Sequence, residues 1–149
     1  MSSTGSVTPT TSTTSTALTE RHLVTLSTDM VLACNTRYWD TQSYPWTHLS
    51  PSFLSGPTFA TIPVKLDLTD FINAFSEVYD SNPDYHILVV STAVHMSDKP
   101  GEAQVYANIH NVNFTPGVVR YSIGLWDYRE AENGKWMCVS YRSLPGPTG

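Results

Sequence analysis

The chain has 149 residues, a formal net charge of −5 and only 14% charged residues. A chain of this length fits one domain. Its eight Lys and Arg residues are scattered along the sequence, which argues against nucleic acid and anionic membranes as partners, because affinity for either rests on clustered positive charge.

The first 18 residues, MSSTGSVTPTTSTTSTAL, lack the basic and apolar segments of a signal peptide. We therefore expect a disordered Ser/Thr-rich tail over residues 1–18 and a single domain over residues 19–149. No later run approaches the ~20 apolar residues that span a bilayer, so the sequence predicts a soluble, cytoplasmic protein. In that compartment Cys34 and Cys138 are expected to be buried thiols rather than a disulfide.

Apolar residues at steps of three and four predict a first helix from Thr19 to Asp40, although Ser27-Thr28-Asp29 offers a later start. Residues 43–55 predict two turns around a short helical piece, and residues 58–65 a short strand. Residues 67–81 predict a second helix with one apolar face. The members of that face are Phe71, Ile72, Phe75, Val78 and Tyr79.

The rest of the chain predicts four long antiparallel strands joined by tight turns. The first is YHILVVSTAVHM, and the turns DKPG, FTPG and AENGK separate it from AQVYANIHNVN, VVRYSIGLWDYRE and WMCVSYRSL. Helices followed by a strand meander indicate the α+β class, with the helices packed on one face of a curved sheet.

The order of four segments, YDSNPDYHILVV, EAQVYANIHNV, VVRYSIGLWDYRE and ENGKWMCVSYRSLPG, resembles the NTF2-like superfamily, and within it the SnoaL-like proteins of fungal secondary metabolism. The resemblance covers about residues 27 to 146 and includes TRYWD near the first helix end. It implies a cone-shaped α+β fold in which the sheet wraps around the helices and lines an internal pocket. It also implies a small hydrophobic organic substrate and no cofactor or metal.

Strand alternation places Tyr106, Asn108 and His110 on one face, and such a polar face suggests the wall of a cavity. His110 is the best candidate for proton transfer, because an imidazole both accepts and donates near neutrality. Tyr106 is a candidate donor to a developing enolate or alkoxide, and Asn108 is expected to bind substrate. The ordinary alternatives are a histidine bound to a backbone carbonyl and a tyrosine with a solvated hydroxyl.

The resemblance implies that alternate residues of the next strand face the same cavity. A slip of one residue in the pairing register would instead place Tyr121, Ile123, Leu125 and Asp127 in the cavity. On the strand that carries Tyr106, the alternate residues Val105, Ala107 and Ile109 point to the opposite side. They would form an apolar convex face, from which we expect a homodimer. The expected cavity residues of the next strand are Arg120, Ser122, Gly124, Trp126 and Tyr128.

Three further residues complete the predicted site. Arg37 is expected to reach over the cone mouth and hold a carbonyl or carboxylate, or else to compensate a helix dipole. His86 lies near where the dehydratases of the superfamily carry a catalytic histidine, although exposure to water explains it equally well. Trp39 is assigned to an aromatic wall, with core packing as the alternative.

The resemblance implies a cofactor-independent isomerase or cyclase that rearranges a small hydrophobic biosynthetic intermediate by acid/base and hydrogen-bond catalysis. Thr41-Gln42 stands where the dehydratases place a Tyr-Asp pair, which weakens a scytalone-dehydratase-like lyase. The other alternative is a non-catalytic module that binds a ligand or a protein.

Overall fold

The computed structural model describes the backbone of residues 3–60 and 62–146 and, within those ranges, the side chains from Ser15 onward. Its structure is of the predicted α+β class, with two long helices followed by four strands. In chain order the elements are α1 (Ser3–Asn35), a short 3-10 helix (Trp46–His48), α2 (Leu68–Ser81), β1 (His86–Met96), β2 (Glu102–Val112), β3 (Val119–Glu130) and β4 (Trp136–Pro145).

The four strands form one antiparallel sheet in the order β1-β2-β3-β4. Each turn between them contains a glycine with positive φ, namely Gly101, Gly117 and Gly134, and glycine adopts this conformation without a steric cost. The pairing register shifts between Val89 and Ser91 and again between Asp127 and Tyr128. Such irregularities bend and twist a strand, and the sheet curves around the helices.

The helices pack against the concave face of this sheet. The concave positions of β2, Ala103, Val105, Ala107 and Ile109, are all buried, together with Leu23, Leu26, Met30 and Val31 of α1. Asp67 is the N-cap of α2, because its carboxylate accepts a hydrogen bond from the backbone N–H of Asp70 at 2.9 Å. Cys34 and Cys138 are free and buried, as expected.

Two local predictions are wrong. Helix α1 ends at Asn35 rather than Asp40, because the Asn35 side chain turns to β1 and binds the backbone of Ile87, donating to its carbonyl and accepting from its N–H, each at 2.8 Å. Residues 58–65 form no strand in their described part. Instead, the preceding segment lies along β4, where Ser50, Leu54 and Gly56 donate backbone hydrogen bonds to it and cover the sheet edge.

At its other end α1 extends back to Ser3, through residues that we expected to form a disordered tail. Among the described side chains, none before Leu23 is buried. The assignment of residues 1–18 to a tail and of residues 19–149 to the domain stays a prediction.

No helix in the described part of the chain is both long and apolar enough to cross a membrane.

Candidate functional site

The space between the helices and the concave sheet face contains two adjoining cavities. The larger, which we call the apolar chamber, has a volume of about 40 Å³. Every element of the cone except β2 contributes to its wall. The wall residues are Met30, Val31 and Cys34 of α1, Trp46 and Leu49 of the 3-10 segment, Phe71, Phe75 and Tyr79 of α2, and Ile87, Trp126, Cys138 and Tyr141 of the sheet.

The second cavity, which we call the polar chamber, has a volume of about 20 Å³. Its wall contains hydroxyl and amide groups from the segment before α2 and from the sheet. Phe75, Ile87 and Tyr141 border both chambers. The remaining wall residues are Thr58, Phe59, Ala60, Tyr85, Asn111, Ser122 and Ser143.

A buried hydrogen-bond network fixes one side of the polar chamber. The Tyr85 hydroxyl donates to Asn111 Oδ1 at 2.8 Å, and Asn111 Nδ2 donates to Ser122 Oγ at 2.8 Å and to the Arg120 carbonyl oxygen at 3.2 Å. Buried polar groups are tolerated when their hydrogen bonds are satisfied in this way. Asn111 is therefore a rigid part of the wall.

Tyr79 differs, because its hydroxyl lies beside the Cys34 thiol and the Tyr85 hydroxyl but makes no hydrogen bond of good geometry with any described residue, although the side chain is 0% exposed. Its ring is held between Tyr85, with ring centroids 4.7 Å apart, and the Arg37 guanidinium, 5.0 Å from its centroid. Burial, and next the neighbouring Cys34 thiol, raise the pKa of Tyr79 well above its ordinary value. The hydroxyl therefore stays protonated and can donate a hydrogen bond.

The two chambers are uncharged at neutral pH. Burial raises the pKa of the Cys34 thiol to about 12, and it also raises the pKa of Tyr85 and of Tyr141. In the part of the chain that the structure describes, no Asp, Glu, Lys, Arg or His side chain lines either chamber. The walls thus offer hydrogen-bond donors but no group that titrates near neutrality to serve as a base.

The prediction that Tyr106, Asn108 and His110 line the pocket is wrong. These three residues pair with Leu125, Ile123 and Tyr121 across β2 and β3, so they share a face with the alternative set of β3, and this shared face is the convex one. The Tyr106 hydroxyl donates to Gln104 Oε1 at 2.8 Å, Asn108 donates to Ser91 Oγ at 2.8 Å, and the His110 ring lies 4.6 Å from that of Tyr121.

The physical reason is the ordinary pattern of a half-buried strand, whose apolar residues face the core. Val105, Ala107 and Ile109 occupy the concave face with 0%, 2% and 2% exposure. The prediction that they form the convex face is wrong for the same reason.

The residues predicted on β3 do lie on the concave side. Trp126 borders the apolar chamber and Ser122 the polar one, while the buried Tyr128 hydroxyl shares a hydrogen bond of 2.8 Å with Ser27 Oγ. Gly124 lies between them, and a Cβ there would come within 2.8 Å of Ile109 Cδ1. Arg120 is exposed at the end of the strand and borders neither chamber.

Arg37 does not reach over the cone mouth. Its guanidinium donates to the carbonyl oxygens of Asn35, Tyr79, Asn82 and Pro83 at 2.8–3.2 Å. Three of these carbonyls belong to the C-terminal end of α2 and the turn after it. Arg37 thus compensates a helix C-terminus, but chiefly that of α2 rather than that of the first helix, which the alternative names.

His86 and Trp39 also lie outside the two chambers. His86 Nδ1 is 3.1 Å from the Asp84 carbonyl oxygen at the start of β1. Trp39 stacks on Trp46 and meets Tyr79 edge-on, with ring centroids 6.0 and 5.6 Å apart. The Trp39 side chain thus packs behind the wall of the apolar chamber.

The sequence prediction missed Tyr79, Tyr85, Tyr141, Asn111 and Thr58. Asn111 could have been predicted from the sequence, because it follows the apolar alternate residues Ala103 to Ile109 and is therefore a polar residue on their buried face. The sequence gives no such indication for Tyr141, since the irregularity in β4 breaks the alternation between Cys138 and Tyr141.

No family model matches the sequence, and no curated protein matches it. Solved structures do match the fold. An uncharacterised protein with a cystatin-like fold from Caulobacter vibrioides has a TM-score of 0.68 and 13% identity, over 85% of this chain and 89% of that one. A proposed dehydratase of the NTF2-like family from Streptomyces avermitilis has a TM-score of 0.67 and 15% identity, over 87% and 97%.

A proposed ketosteroid isomerase from Shewanella frigidimarina has a TM-score of 0.64 and 9% identity, over 80% of this chain and 92% of that one. At these identities the likeness concerns the fold. The chain has the NTF2-like, cystatin-like fold, a cone of helices and curved sheet.

Proposed function

We propose that the two chambers form the binding site of a small, uncharged organic molecule with an apolar body and at least one hydrogen-bonding oxygen. The observation that carries this proposal is the buried hydroxyl of Tyr79, which has no hydrogen-bond partner among the described residues and belongs to a residue in the wall of an otherwise apolar chamber. A buried hydroxyl without a partner costs about 1–3 kcal/mol. A ligand oxygen placed against Tyr79 recovers that cost.

The same walls select against charge. A carboxylate or ammonium group moved from water into a chamber without a counter-charge loses its hydration and gains no ion pair. The apolar chamber is smaller than the ~150 Å³ cavity known to bind benzene. A ring therefore binds only when half-buried wall residues such as Phe75 and Tyr141 move aside.

Three probes of similar shape test the proposal, namely phenol, toluene and benzoate. Trp46 and Trp126 border the apolar chamber, so tryptophan fluorescence reports binding. We expect phenol to bind more tightly than toluene, although phenol is better hydrated, and benzoate to bind far more weakly than either. Tighter binding of toluene, or equal binding of benzoate, would contradict the proposal. Cys34→Leu, which fills the chamber, is the control and should abolish the signal.

A second candidate function is catalysis by an isomerase or cyclase, and the names of the structural neighbours support a reaction of the isomerase or dehydratase type. Protonated tyrosine hydroxyls, such as those of Tyr79 and Tyr141, stabilise negative charge that develops on a substrate oxygen. Because no Asp, Glu, Lys, Arg or His side chain of the described residues borders the chambers, this proposal is limited to rearrangement or cyclisation of an intermediate that is already reactive. A place in fungal secondary metabolism belongs to the same proposal and rests on the sequence resemblance. Turnover that persists unchanged in both Tyr79→Phe and Tyr141→Phe would contradict catalysis in the chambers.

We also propose a homodimer that buries the convex face of the sheet. That face carries exposed apolar side chains, and a contiguous apolar patch is typical of an interaction surface. A cytoplasmic location is part of this proposal and is supported by the two free cysteines, since thiols persist in a reducing compartment. The exposed apolar residues of the convex face, on which the proposed dimer rests, are Leu88, Val90, Tyr106, Tyr121 and Leu144.

A further inference from the structure

We infer that the ligand carries two hydrogen-bonding oxygens separated by an apolar segment, and that Phe75 determines its length. This inference rests on the proposed binding function and specifies the class of molecule, such as a diol, a hydroxyketone or a diketone.

Each chamber is bordered by one residue whose buried hydroxyl has no partner among the described residues. In the apolar chamber it belongs to Tyr79, and in the polar chamber to Thr58, which is 9% exposed. Of the other hydroxyl groups of the polar chamber, three are engaged, since Tyr85 donates to Asn111, Ser122 accepts from Asn111, and Ser143 accepts from the Phe59 N–H. The fourth belongs to Tyr141, which forms part of the boundary with the apolar chamber. Two separate positions therefore remain for ligand oxygens.

A molecule that contacts both hydroxyls must pass the boundary between the chambers. Phe75, Ile87 and Tyr141 form this boundary. The backbone of Ile87 is held by the Asn35 amide, and Tyr141 lies on β4, opposite Trp126 and in ring contact with it at 5.0 Å.

Phe75 is the boundary residue that comes from a helix and whose contacts are aromatic rings, with Phe71 at 4.6 Å and Tyr141 at 6.2 Å. The Phe75 side chain is half-buried, so it can turn outward without leaving a polar group unsatisfied. With Phe75 in place, cavities of about 40 and 20 Å³ hold only a few water molecules each. With it displaced, they become one elongated site with a hydroxyl at each end.

The test compares α,ω-alkanediols, from hexanediol to dodecanediol, with the n-alkanols of the same carbon number, by tryptophan fluorescence titration. At the chain length that matches the distance between the two hydroxyls, we expect the diol to bind about tenfold more tightly than the alkanol, as one recovered hydrogen bond gives. Thr58→Val should abolish this advantage, so that the diol binds no more tightly than the alkanol of the same carbon number. Thr58→Ser, which keeps the hydroxyl, should preserve it.

Phe75→Ala should increase the affinity of the longer diols at least about tenfold, because the boundary is open. Phe114→Ala is the matched control, since Phe114 is also half-buried but borders neither chamber. An equal effect of both variants, or none of either, would overturn the role of Phe75.

The two proposals fail in different ways. If alkanols bind in a Tyr79-dependent manner but no diol exceeds its alkanol, the two-oxygen inference is wrong and the binding function stands. If neither series binds at millimolar concentration to the wild type or to Phe75→Ala, both proposals are wrong.

Discussion

The buried tyrosines differ in what their hydroxyl groups contact. Tyr85 donates to Asn111 and Tyr128 shares a hydrogen bond with Ser27, whereas Tyr79 has no partner among the described residues. Chemically identical Tyr→Phe substitutions should therefore have opposite effects on stability. Tyr79→Phe removes an unsatisfied buried hydroxyl, and we expect the free energy of unfolding to rise by about 1–3 kcal/mol in urea denaturation.

Tyr85→Phe is the matched control. It leaves Asn111 Oδ1 buried without the hydroxyl that donates to it at 2.8 Å, so the free energy of unfolding should fall by about 1–3 kcal/mol. If both variants lose stability to the same extent, the Tyr79 hydroxyl is satisfied in the folded protein and the argument for a vacant donor is wrong.

At the scale of elements, Arg37 joins the end of α1 to the end of α2. Its guanidinium binds carbonyl oxygens of Tyr79, Asn82 and Pro83, and hydrogen bonds to charged groups contribute about 1.5–3 kcal/mol. Its backbone φ is 58°, a conformation that costs a residue other than glycine about 1–2 kcal/mol. We expect Arg37→Ala to lose about 2–3 kcal/mol of stability by denaturation.

Arg37→Gly separates the two effects, because it loses the guanidinium but also relieves the backbone. It should be about 1 kcal/mol more stable than Arg37→Ala. A glycine variant less stable than the alanine variant would show that the left-handed conformation is not maintained at this position.

The strand order and the α+β class could be predicted from the sequence, because turn residues and alternation are local signals. The face of β3 followed from the family resemblance, since alternation alone left two sets of residues open. The face of β2 was also visible in the apolar set from Ala103 to Ile109. The prediction is wrong there because alternating polar residues fit the wall of a cavity and a solvated outer face equally well, and only the burial of the apolar set distinguishes the two.

Other features depend on contacts that local sequence does not contain. The end of α1 is set by Asn35 binding Ile87, which lies 52 positions along the chain. The apolar pattern that continues to Tyr38 gave no warning of it. Likewise, the polar chamber requires Thr58, Tyr85 and Asn111 to converge from three separate segments.

At the scale of the whole molecule, the exposed apolar residues of the convex face predict self-association. We expect the wild type to sediment as a dimer at micromolar concentration. Leu144→Glu should shift it to a monomer, because a carboxylate would be buried at the interface without a partner. Leu32→Glu is the control, since Leu32 is 57% exposed against 48% for Leu144 but lies on α1 and should leave the dimer intact. A monomeric wild type would contradict the interface.

The binding site itself is tested most directly by titrating phenol and toluene into the wild type and Tyr79→Phe, with tryptophan fluorescence as the readout. If the Tyr79 hydroxyl is the vacant donor for a ligand oxygen, the substitution should weaken phenol binding about tenfold and leave toluene binding unchanged or tighter. Phenol affinity that is unaffected by the loss of this hydroxyl would contradict the account.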